Sequence, residues 1–269
     1  MRIATIVVLP LCLIASVLGA ERTAGAAGSP ADRGREIAEE VDRRDAGFGD
    51  SVVGLVMTLT SSDGRERRRR LTWRTLEAAV PGDGDRSLAV FHEPRDMEGT
   101  AFLTHTHVDR EDDQWLYLPS LKRVKRIASA NKSSAFVGSD FAYEDLLSDE
   151  VEKFDYEWLR DESCGSAQCF LIDRRPRYAG SGYARQLVWI DQKEFRPVRI
   201  EYYDRRNRHQ KTLMFEEYRL YLGRFWRAHL MRMDNHQTGK ATLLSFSEFD
   251  FQTGLTPQDF EPDVLRRLR

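Results

Sequence analysis

A period-two alternation of apolar and polar side chains runs through most of this sequence, and it constrains the fold more than any other feature. Val53, Leu55, Met57 and Leu59 alternate with smaller or more polar residues. Successive side chains of a β-strand point to opposite faces, so this pattern predicts a strand with one buried face. Similar segments recur at short intervals as far as residue 251, separated by polar or glycine-containing turns. The sequence therefore predicts a mainly β protein, an antiparallel meander of about a dozen strands.

Three segments depart from the alternation and predict helices or helical turns. Residues 32–45 place their apolar side chains on one helical face. Residues 139–147 are a second helix candidate, because their early acidic side chains suit a helix N-terminus. Residues 256–268 predict a short C-terminal turn or helix. We therefore expect a few helices beside the strands.

Some of the predicted strands are apolar on both faces. Residues 115–118, with the sequence WLYL, are one example, and residues 225–233 are another. A strand of this kind is buried on two sides. In one antiparallel sheet, the inner face must then be covered either by helices or by an apolar ligand held in the hollow of the sheet.

The first 26 residues have the features of a secretory signal peptide. One positive charge precedes a short apolar run, and small residues follow it. The run is short for a membrane anchor, and we expect cleavage after Ala26, with Gly19 or Ala20 as alternatives. The sequence thus predicts a signal peptide over residues 1–26 and one domain over residues 27–269, located outside the cytoplasm.

Charge argues against nucleic acid as a partner. Without the first 26 residues the chain has 39 Lys and Arg against 42 Asp and Glu, a net charge of about −3. Nucleic-acid-binding domains are usually basic overall, and a compartment outside the cytoplasm also disfavours that partner. A chain of this length is large enough to bury one substantial core.

Two cysteines remain after the signal peptide, Cys164 and Cys169, and they bracket a four-residue turn between strand-like segments. In an oxidising compartment this spacing predicts a disulfide that closes the end of a hairpin. The alternative, a metal-binding pair, would need further ligands, and no histidine lies close in sequence. Because the disulfide would close only a short loop, we expect it to stabilise the fold by a modest amount, about 2 kcal/mol.

Signatures of catalysis or of a cofactor site are mostly absent. The sequence has no Gly-x-Ser-x-Gly, phosphate-binding loop or dinucleotide-binding motif. His105, His107 and Asp109 alternate along one predicted strand and form a candidate metal set, but alternating polar residues also describe a solvated strand face. We therefore expect no enzyme activity, no cofactor and no metal site.

The most unusual stretch lies between residues 115 and 146. It begins WLYLPSLKRVKRI and, after a short polar loop, continues NKSSAFVGSDFAYEDL. A strand that ends in Leu-Pro, a basic Arg-x-x-Arg-Ile segment, a small-residue loop and Gly-Ser-Asp-Phe-x-Tyr-Glu-Asp follow one another. In these features the stretch resembles the outer-membrane lipoprotein-sorting protein family of the LolA-like superfamily. It is most similar to the branch associated with resistance-nodulation-division type exporters.

The resemblance implies a fold and a kind of function. The fold would be a strongly curved antiparallel sheet, an incomplete β-barrel, with helices covering its concave face and a hydrophobic cavity between them. In the lipoprotein carriers that cavity holds acyl chains in transit through the periplasm. An acyl chain exposed to water costs about 0.8 kcal/mol per methylene, so a soluble carrier needs an apolar hollow and a lid.

The residues around this stretch are the candidate site. The aromatic and apolar side chains that bracket it are candidates for the cavity: Trp115, Tyr117, Leu118, Phe136, Phe141 and Tyr143. The cations are candidates for contact with a lipid headgroup or a partner: Lys122, Arg123, Lys125 and Arg126. Because these cations and the acids Asp140, Glu144 and Asp145 come so close in sequence, we expect an internal ion-pair network between them, with the headgroup and partner contacts as alternatives.

Two classes of function follow from these expectations. The first is a periplasmic, monomeric carrier of a lipid or lipoprotein acyl chain that works with an inner-membrane exporter. The second is an accessory or adaptor protein that docks on an envelope exporter and carries nothing. The sequence does not distinguish the lipid, the exporter or the direction of transport.

Overall fold

The computed structural model describes residues 28–78, 83–147 and 150–267. The predicted signal peptide, residues 1–26, lies outside the described residues. The chain folds into one α-helix, α1, and thirteen strands in the described part. These elements are α1 (Pro30–Asp45), β1 (Asp50–Thr60), β2 (Glu66–Leu76), β3 (Asp83–Glu93), β4 (Ala101–His107), β5 (Asp113–Leu118), β6 (Arg123–Arg126), β7 (Phe154–Cys164), β8 (Ala167–Pro176), β9 (Tyr183–Asp191), β10 (Pro197–Asp204), β11 (His209–Tyr221), β12 (Phe225–Asn235) and β13 (Lys240–Phe251).

All thirteen strands form one curved antiparallel sheet that does not close into a barrel. The strand order is β6-β5-β4-β3-β2-β1-β13-β12-β11-β10-β9-β8-β7. Consecutive strands are neighbours everywhere except for β6 and β7. The first and last strands pair with each other in the middle of the sheet, and the consecutive strands β6 and β7 form its two opposite edges. The predicted antiparallel meander and incomplete barrel are confirmed.

The alternation of apolar and polar residues in the sequence determines which face of the sheet is buried. In β1, Leu55, Met57 and Leu59 are buried, and the residues between them are partly exposed. Their side chains join one large cluster with inward-facing residues of the other strands, among them Leu213 and Met233. This cluster lies on the concave face, so the period-two pattern locates the main core.

Helix α1 covers one end of the concave face. Ser29 begins the helix with a capping box, in which its hydroxyl accepts a hydrogen bond from the backbone N–H of Asp32. Gly34 lets the helix approach β7 closely, because a Cβ there would come within 2.8 Å of the backbone nitrogen of Trp158. Ile37 then reaches the main core. The helix predicted from residue 32 is confirmed.

The convex face carries a second, smaller core. The C-terminal segment forms two 3₁₀ turns, Pro257–Phe260 and Pro262–Arg266, which we call the C-terminal turns. Phe260 and Leu265, both fully buried, pack against the outward-facing side chains of β3 and β4. The C-terminal turn predicted from the sequence is thus present, and it covers the outside of the sheet.

A disulfide joins Cys164 and Cys169 at the end of the β7–β8 hairpin, with a Cα–Cα distance of 5.8 Å. Cys169 is fully buried in a small cluster on the convex face with Leu171 and Trp189. The predicted disulfide is confirmed. Within the described ranges, none of the helices has the length and apolar character needed to cross a membrane.

Candidate functional site

The connection between the two edge strands crosses the concave face of the sheet. Residues 128–147, which we call the strap, leave β6, pass over the hollow and lead towards β7 at the opposite edge. The strap has no α-helix. It contains three 3₁₀ turns, Ser129–Asn131, Phe136–Gly138 and Tyr143–Leu146. The chain therefore covers the open side of its incomplete barrel with α1 and this irregular segment.

The middle of the strap is a small hairpin. The backbone N–H of Phe136 donates to the carbonyl of Phe141 at 2.7 Å, and the N–H of Tyr143 donates to the carbonyl of Ser134 at 3.1 Å. Val137 and Gly138 turn the chain with positive φ angles of 44° and 79°. The predicted helix over residues 139–147 is wrong, because the backbone there pairs across the hairpin and forms only one 3₁₀ turn.

Apolar side chains of the strap fill the hollow. Phe136 is 0% exposed and Phe141 is 1% exposed. The ring centroid of Phe136 lies 5.1 Å from that of Phe102 and 6.1 Å from that of Phe91, on the inner face of the sheet. Burying a phenylalanine side chain contributes about 1.5–3 kcal/mol. The strap thus fills the hollow of the sheet with its own aromatic side chains.

A buried carboxylate joins the start of the strap to the residue just before β7. Asp112, just before β5, receives the ammonium group of Lys132 at 3.3 Å and that of Lys153 at 2.5 Å. The side chains of Asp112 and Lys132 are almost completely buried. Charges removed from water at this depth persist only when they are paired. Asp112 therefore holds the start of the strap and the start of β7 together.

A second buried ion pair holds the strap to the middle of the sheet. Asp145 accepts the ammonium of Lys211 on β11 at 2.5 Å and the hydroxyl of Tyr183 on β9 at 2.7 Å. It also accepts the backbone N–H of Ala142 at 2.6 Å. The Asp145 and Lys211 side chains are 1% and 3% exposed. The strap is thereby connected to two strands far away in sequence.

Two further carboxylates of the strap bind neutral donors. Glu144 accepts the hydroxyl of Ser181 at 2.8 Å and the backbone N–H of Gly182 at 2.8 Å. Burial raises the pKa of the Glu144 carboxyl. Asp140 accepts the hydroxyl of Thr242 at 3.0 Å and the side-chain amide of Asn235 at 3.2 Å. All three acids of the Gly-Ser-Asp-Phe-x-Tyr-Glu-Asp segment therefore attach the strap to the sheet.

The four cations of the basic segment lie elsewhere. Lys122 follows the turn after β5, and the other three lie on the edge strand β6: Arg123, Lys125 and Arg126. All four are exposed. Arg126 pairs with Asp113, not with an acid of the strap. The internal network predicted with Asp140, Glu144 and Asp145 is wrong. Basic side chains on a free edge strand also discourage edge-to-edge pairing with another sheet.

The structure separates the cavity candidates between the two faces. Phe136, Phe141 and Tyr143 belong to the main core of the concave face, and Leu118 packs against it. By contrast, Trp115 and Tyr117 pack on the convex face beside the C-terminal turns. The expectation that all six surround one hollow is therefore corrected for these two side chains. When a strand is apolar on both sides, the elements that pack against it determine which side chains lie on the concave face and which lie on the convex face. That the remaining candidates bind a ligand stays a prediction.

The histidines of β4 have structural partners. The ring of His105 hydrogen-bonds to the carbonyl of Phe260 at 2.7 Å, and burial lowers the pKa of His105. The ring of His107 lies 3.1 Å from the carboxylate of Asp113. Over residues 28–78, 83–147 and 150–267, no group of three His, Cys, Asp or Glu side chains is arranged to hold a metal ion.

Two clefts adjoin the strap. The first, of about 660 Å³, lies between the strap hairpin and the β10–β11 and β12–β13 turns, and we call it the mouth cleft. Its cations are Arg205, Arg206, Arg208, Lys211 and Lys240, and its acids include Asp140 and Asp204. The second, of about 300 Å³, lies beside the first residues of the strap. The mouth cleft is thus a charged opening next to an apolar hollow.

Several residues at this site carry little recognisable signal in the sequence. Lys132, Lys153 and Lys211 are ordinary lysines in the sequence, and only the fold brings them to buried acids. Arg69 lies in a run of four arginines that suggests a solvated face, yet its guanidinium donates to the carbonyl of Val137 at 2.7 Å. The signal for Arg69 was its position on the same alternating face as Leu71.

Fold and site together define a class of protein, a LolA-like incomplete barrel whose hollow is covered by a strap. Comparisons place the chain within that class. It is 49% identical to a domain from Vibrio parahaemolyticus whose name assigns it to outer membrane lipoprotein sorting. The match covers 88% of this chain and 100% of that domain, with a TM-score of 0.86. The chain therefore belongs to the family of outer-membrane lipoprotein-sorting proteins.

Other comparisons agree with this assignment. A DUF1329 family protein from Desulfovibrio piger is 29% identical, with a TM-score of 0.83, over 88% of this chain and 100% of that one. A LolA superfamily protein from Nitrosomonas europaea has the same fold, with 21% identity and a TM-score of 0.68, over 86% of this chain and 98% of that one. A family model described as an uncharacterized protein matches residues 83–267. No curated protein matches the sequence.

Proposed function

We propose that this protein is a periplasmic carrier that holds a lipid or lipoprotein acyl chain in the hollow of its sheet, in place of the strap. The observation that carries the proposal is the filling of the hollow by Phe136 and Phe141, two side chains on a segment without regular secondary structure. Membership of a lipoprotein-sorting family supports the carrier role. The strap is then a lid that occupies the site until a ligand replaces it.

The energetics of the strap suit such an exchange. Two phenyl groups leave the hollow, and acyl methylenes enter it at about 0.8 kcal/mol each, so apolar burial is largely conserved. The strap is also held by the buried pair of Asp145 and Lys211. A buried ion pair contributes little net stability, because desolvation offsets most of the attraction. The free-energy cost of opening such a lid is small enough to be offset when a long acyl chain enters the hollow.

We propose in addition that the carrier works with an exporter of the inner membrane and that the basic edge strand is its contact surface. Lys122, Arg123 and Lys125 are exposed on or beside β6, and the adjacent Leu121 is 61% exposed. An apolar tip among cations fits an acidic partner surface or anionic headgroups. Neither the occupant of the hollow nor the partner requires a catalytic group on this chain.

Extraction of the purified protein with organic solvent, followed by mass spectrometry, tests the carrier function. We expect a lipid or acylated peptide in near-stoichiometric amount after mild purification from the native compartment. The control is the same protein unfolded in urea and refolded before extraction, which should release its ligand and yield none.

The adaptor alternative predicts a different result. A protein that only docks on an exporter would give no lipid in either sample and would take up no fluorescent fatty-acid probe afterwards. That pair of negative results would overturn the carrier proposal.

A further inference from the structure

The mouth cleft has the charge and position of an anion site at the exit of the hollow. The ends of β10 and β11, with the turn between them, form one wall, and residues 237–240 of the β12–β13 turn form another. The third wall is the strap hairpin, including Asp140 and Phe141. The cleft therefore lies directly beside the strap hairpin.

The arginines of the β10–β11 turn are held in place by their neighbours. Asp204 accepts the backbone N–H groups of Arg206 and Arg208 at 2.9 and 3.0 Å, and it pairs with the guanidinium of Arg208 at 2.7 Å. These hydrogen bonds, the one from the backbone N–H of Arg208 above all, lower the pKa of Asp204. Arg205 donates to the carbonyl of Ser181 at 2.7 Å. The turn is therefore pre-organised by Asp204, whose charge is already matched.

Two cations of the cleft remain without such a match. The side chains of Arg206 and Lys240 line the cleft and are exposed. Within the described ranges, these two residues form hydrogen bonds through their backbone groups only. Neither side chain has an ion pair with any acid in the three described ranges of the chain. Lys211 is already paired with Asp145, and the other four cations face only Asp140 and Asp204, so the cleft keeps an excess of positive charge.

We propose that the mouth cleft binds the phosphate of an anionic lipid headgroup whose acyl chains occupy the hollow. Arginine and lysine together are the usual side chains for a phosphate ester, because guanidinium forms paired hydrogen bonds and ammonium adds a compact charge. The two walls that belong to the sheet, the β10–β11 and β12–β13 turns, stay in place when the strap leaves, and they carry Arg206 and Lys240. This inference rests on the proposed carrier function, and it names the class of cargo as an anionic phospholipid or a phosphate-bearing lipid.

Isothermal titration of the chain from residue 27 onwards tests the inference with three probes. They are dihexanoyl phosphatidylglycerol below its micelle concentration, inorganic phosphate, and a neutral monoacylglycerol. The test variant carries Arg206→Gln and Lys240→Gln. The control variant carries Arg67→Gln and Arg95→Gln, two exposed arginines outside the cleft.

We expect the test variant to lose at least about tenfold in affinity for phosphatidylglycerol, because charge-assisted hydrogen bonds to the phosphate are removed. Monoacylglycerol binding should stay within about twofold of the wild type, and the control variant should resemble the wild type with all probes.

The alternative outcomes separate this inference from the carrier function. Unchanged phosphatidylglycerol affinity in the test variant, with monoacylglycerol still bound, would overturn the headgroup site and leave the carrier intact. Equal affinity for inorganic phosphate and phosphatidylglycerol would assign the cleft to the free anion and overturn the lipid assignment. Binding of neither lipid would reject the carrier function itself, and with it the headgroup site.

Discussion

Two irregular segments cover the two faces of this sheet, and they are attached in different ways. The C-terminal turns pack Phe260 and Leu265 against the convex face. Glu261, between the two turns, forms an ion pair with Arg86, and both side chains are partly exposed. The strap packs Phe136 and Phe141 against the concave face, but buried ion pairs hold it at two points.

The difference indicates which cover is permanent. Apolar burial without buried charge is stable whenever the sheet is folded, so the C-terminal turns are part of the fold. A segment held by paired buried charges exchanges one satisfied arrangement for another when it detaches, because water solvates the released ions. Under the proposed carrier function, the strap is the cover that opens.

Locking the strap should abolish ligand uptake. The backbone nitrogen and a carboxylate oxygen of Asp140 each lie 3.0 Å from the hydroxyl of Thr242, so Asp140→Cys with Thr242→Cys places two thiols side by side. We expect the oxidised variant to bind a fluorescent fatty-acid probe more than about 100-fold more weakly, because the open state is inaccessible. Reduction should restore binding.

Wild-type protein treated with the same reductant controls for reduction of the Cys164–Cys169 disulfide. Equal probe binding by the oxidised and reduced variants would show that the strap stays in place when a ligand binds.

Truncation on the convex face should damage the fold and spare binding. Phe260→Ala removes a fully buried ring beside Leu88 and Leu103. We expect a loss of about 3–5 kcal/mol in the free energy of unfolding, measured by urea denaturation, with the slope m unchanged. Probe affinity should equal that of the wild type. A loss under about 1 kcal/mol would mean that the C-terminal turns are as detachable as the strap.

Truncation on the concave face should give the opposite balance. Phe136→Ala removes an equally buried ring, but the loss is limited by the cost of detaching the strap, so we expect no more than about 2 kcal/mol. Because a weakened strap competes less well for the hollow, probe affinity should rise by about tenfold. A loss as large as that of Phe260→Ala, with unchanged probe affinity, would make Phe136 an ordinary core residue.

We expect a mild pH dependence of the free energy of unfolding from a carboxyl group beside the end of the strap. Glu150, between the strap and β7, accepts the hydroxyl of Thr106 at 3.1 Å, and burial raises its pKa to about 7. The unfolded chain releases this proton near pH 4.5, so between about 4.5 and 7 the folded chain binds more protons. Stability should therefore fall as pH rises through that window, by about 1 kcal/mol after allowance for partial exposure.

Urea denaturation at pH 5.5 and 7.5 measures this change, and Glu150→Gln should remove the Glu150 contribution because its amide is neutral at both values, leaving that of the other titrating groups. If the wild type and this variant respond to pH equally, the titrating group lies elsewhere.

Much of the fold could be predicted from the sequence because its signals are local. Alternation of side chains is a property of single strands, and it locates the concave-face residues of β1 without knowledge of their partners. The disulfide between Cys164 and Cys169 spans one hairpin turn, so its two halves are close in sequence as well as in space.

The site was harder to predict because its contacts are long-range. Asp145 and Lys211 are 66 positions apart, so charge proximity in sequence suggested the wrong cations for the acids of the strap. The segment 139–147 has acidic residues suited to a helix start, but tertiary contacts of those residues determined its conformation. The two faces of β5 were indistinguishable in sequence, because Trp115 and Leu116 are both apolar.

The pairing of β1 with β13 sets the order in which the chain can complete its fold. These strands are separated by every other strand in sequence, yet they are neighbours in the middle of the sheet. During synthesis, one side of β1 stays unpaired until the chain has been made as far as Phe251, and an unpaired strand edge is a template for aggregation. A chain that ends before β13 would therefore lose the junction between two half-sheets rather than a frayed end, and early termination should produce an insoluble product.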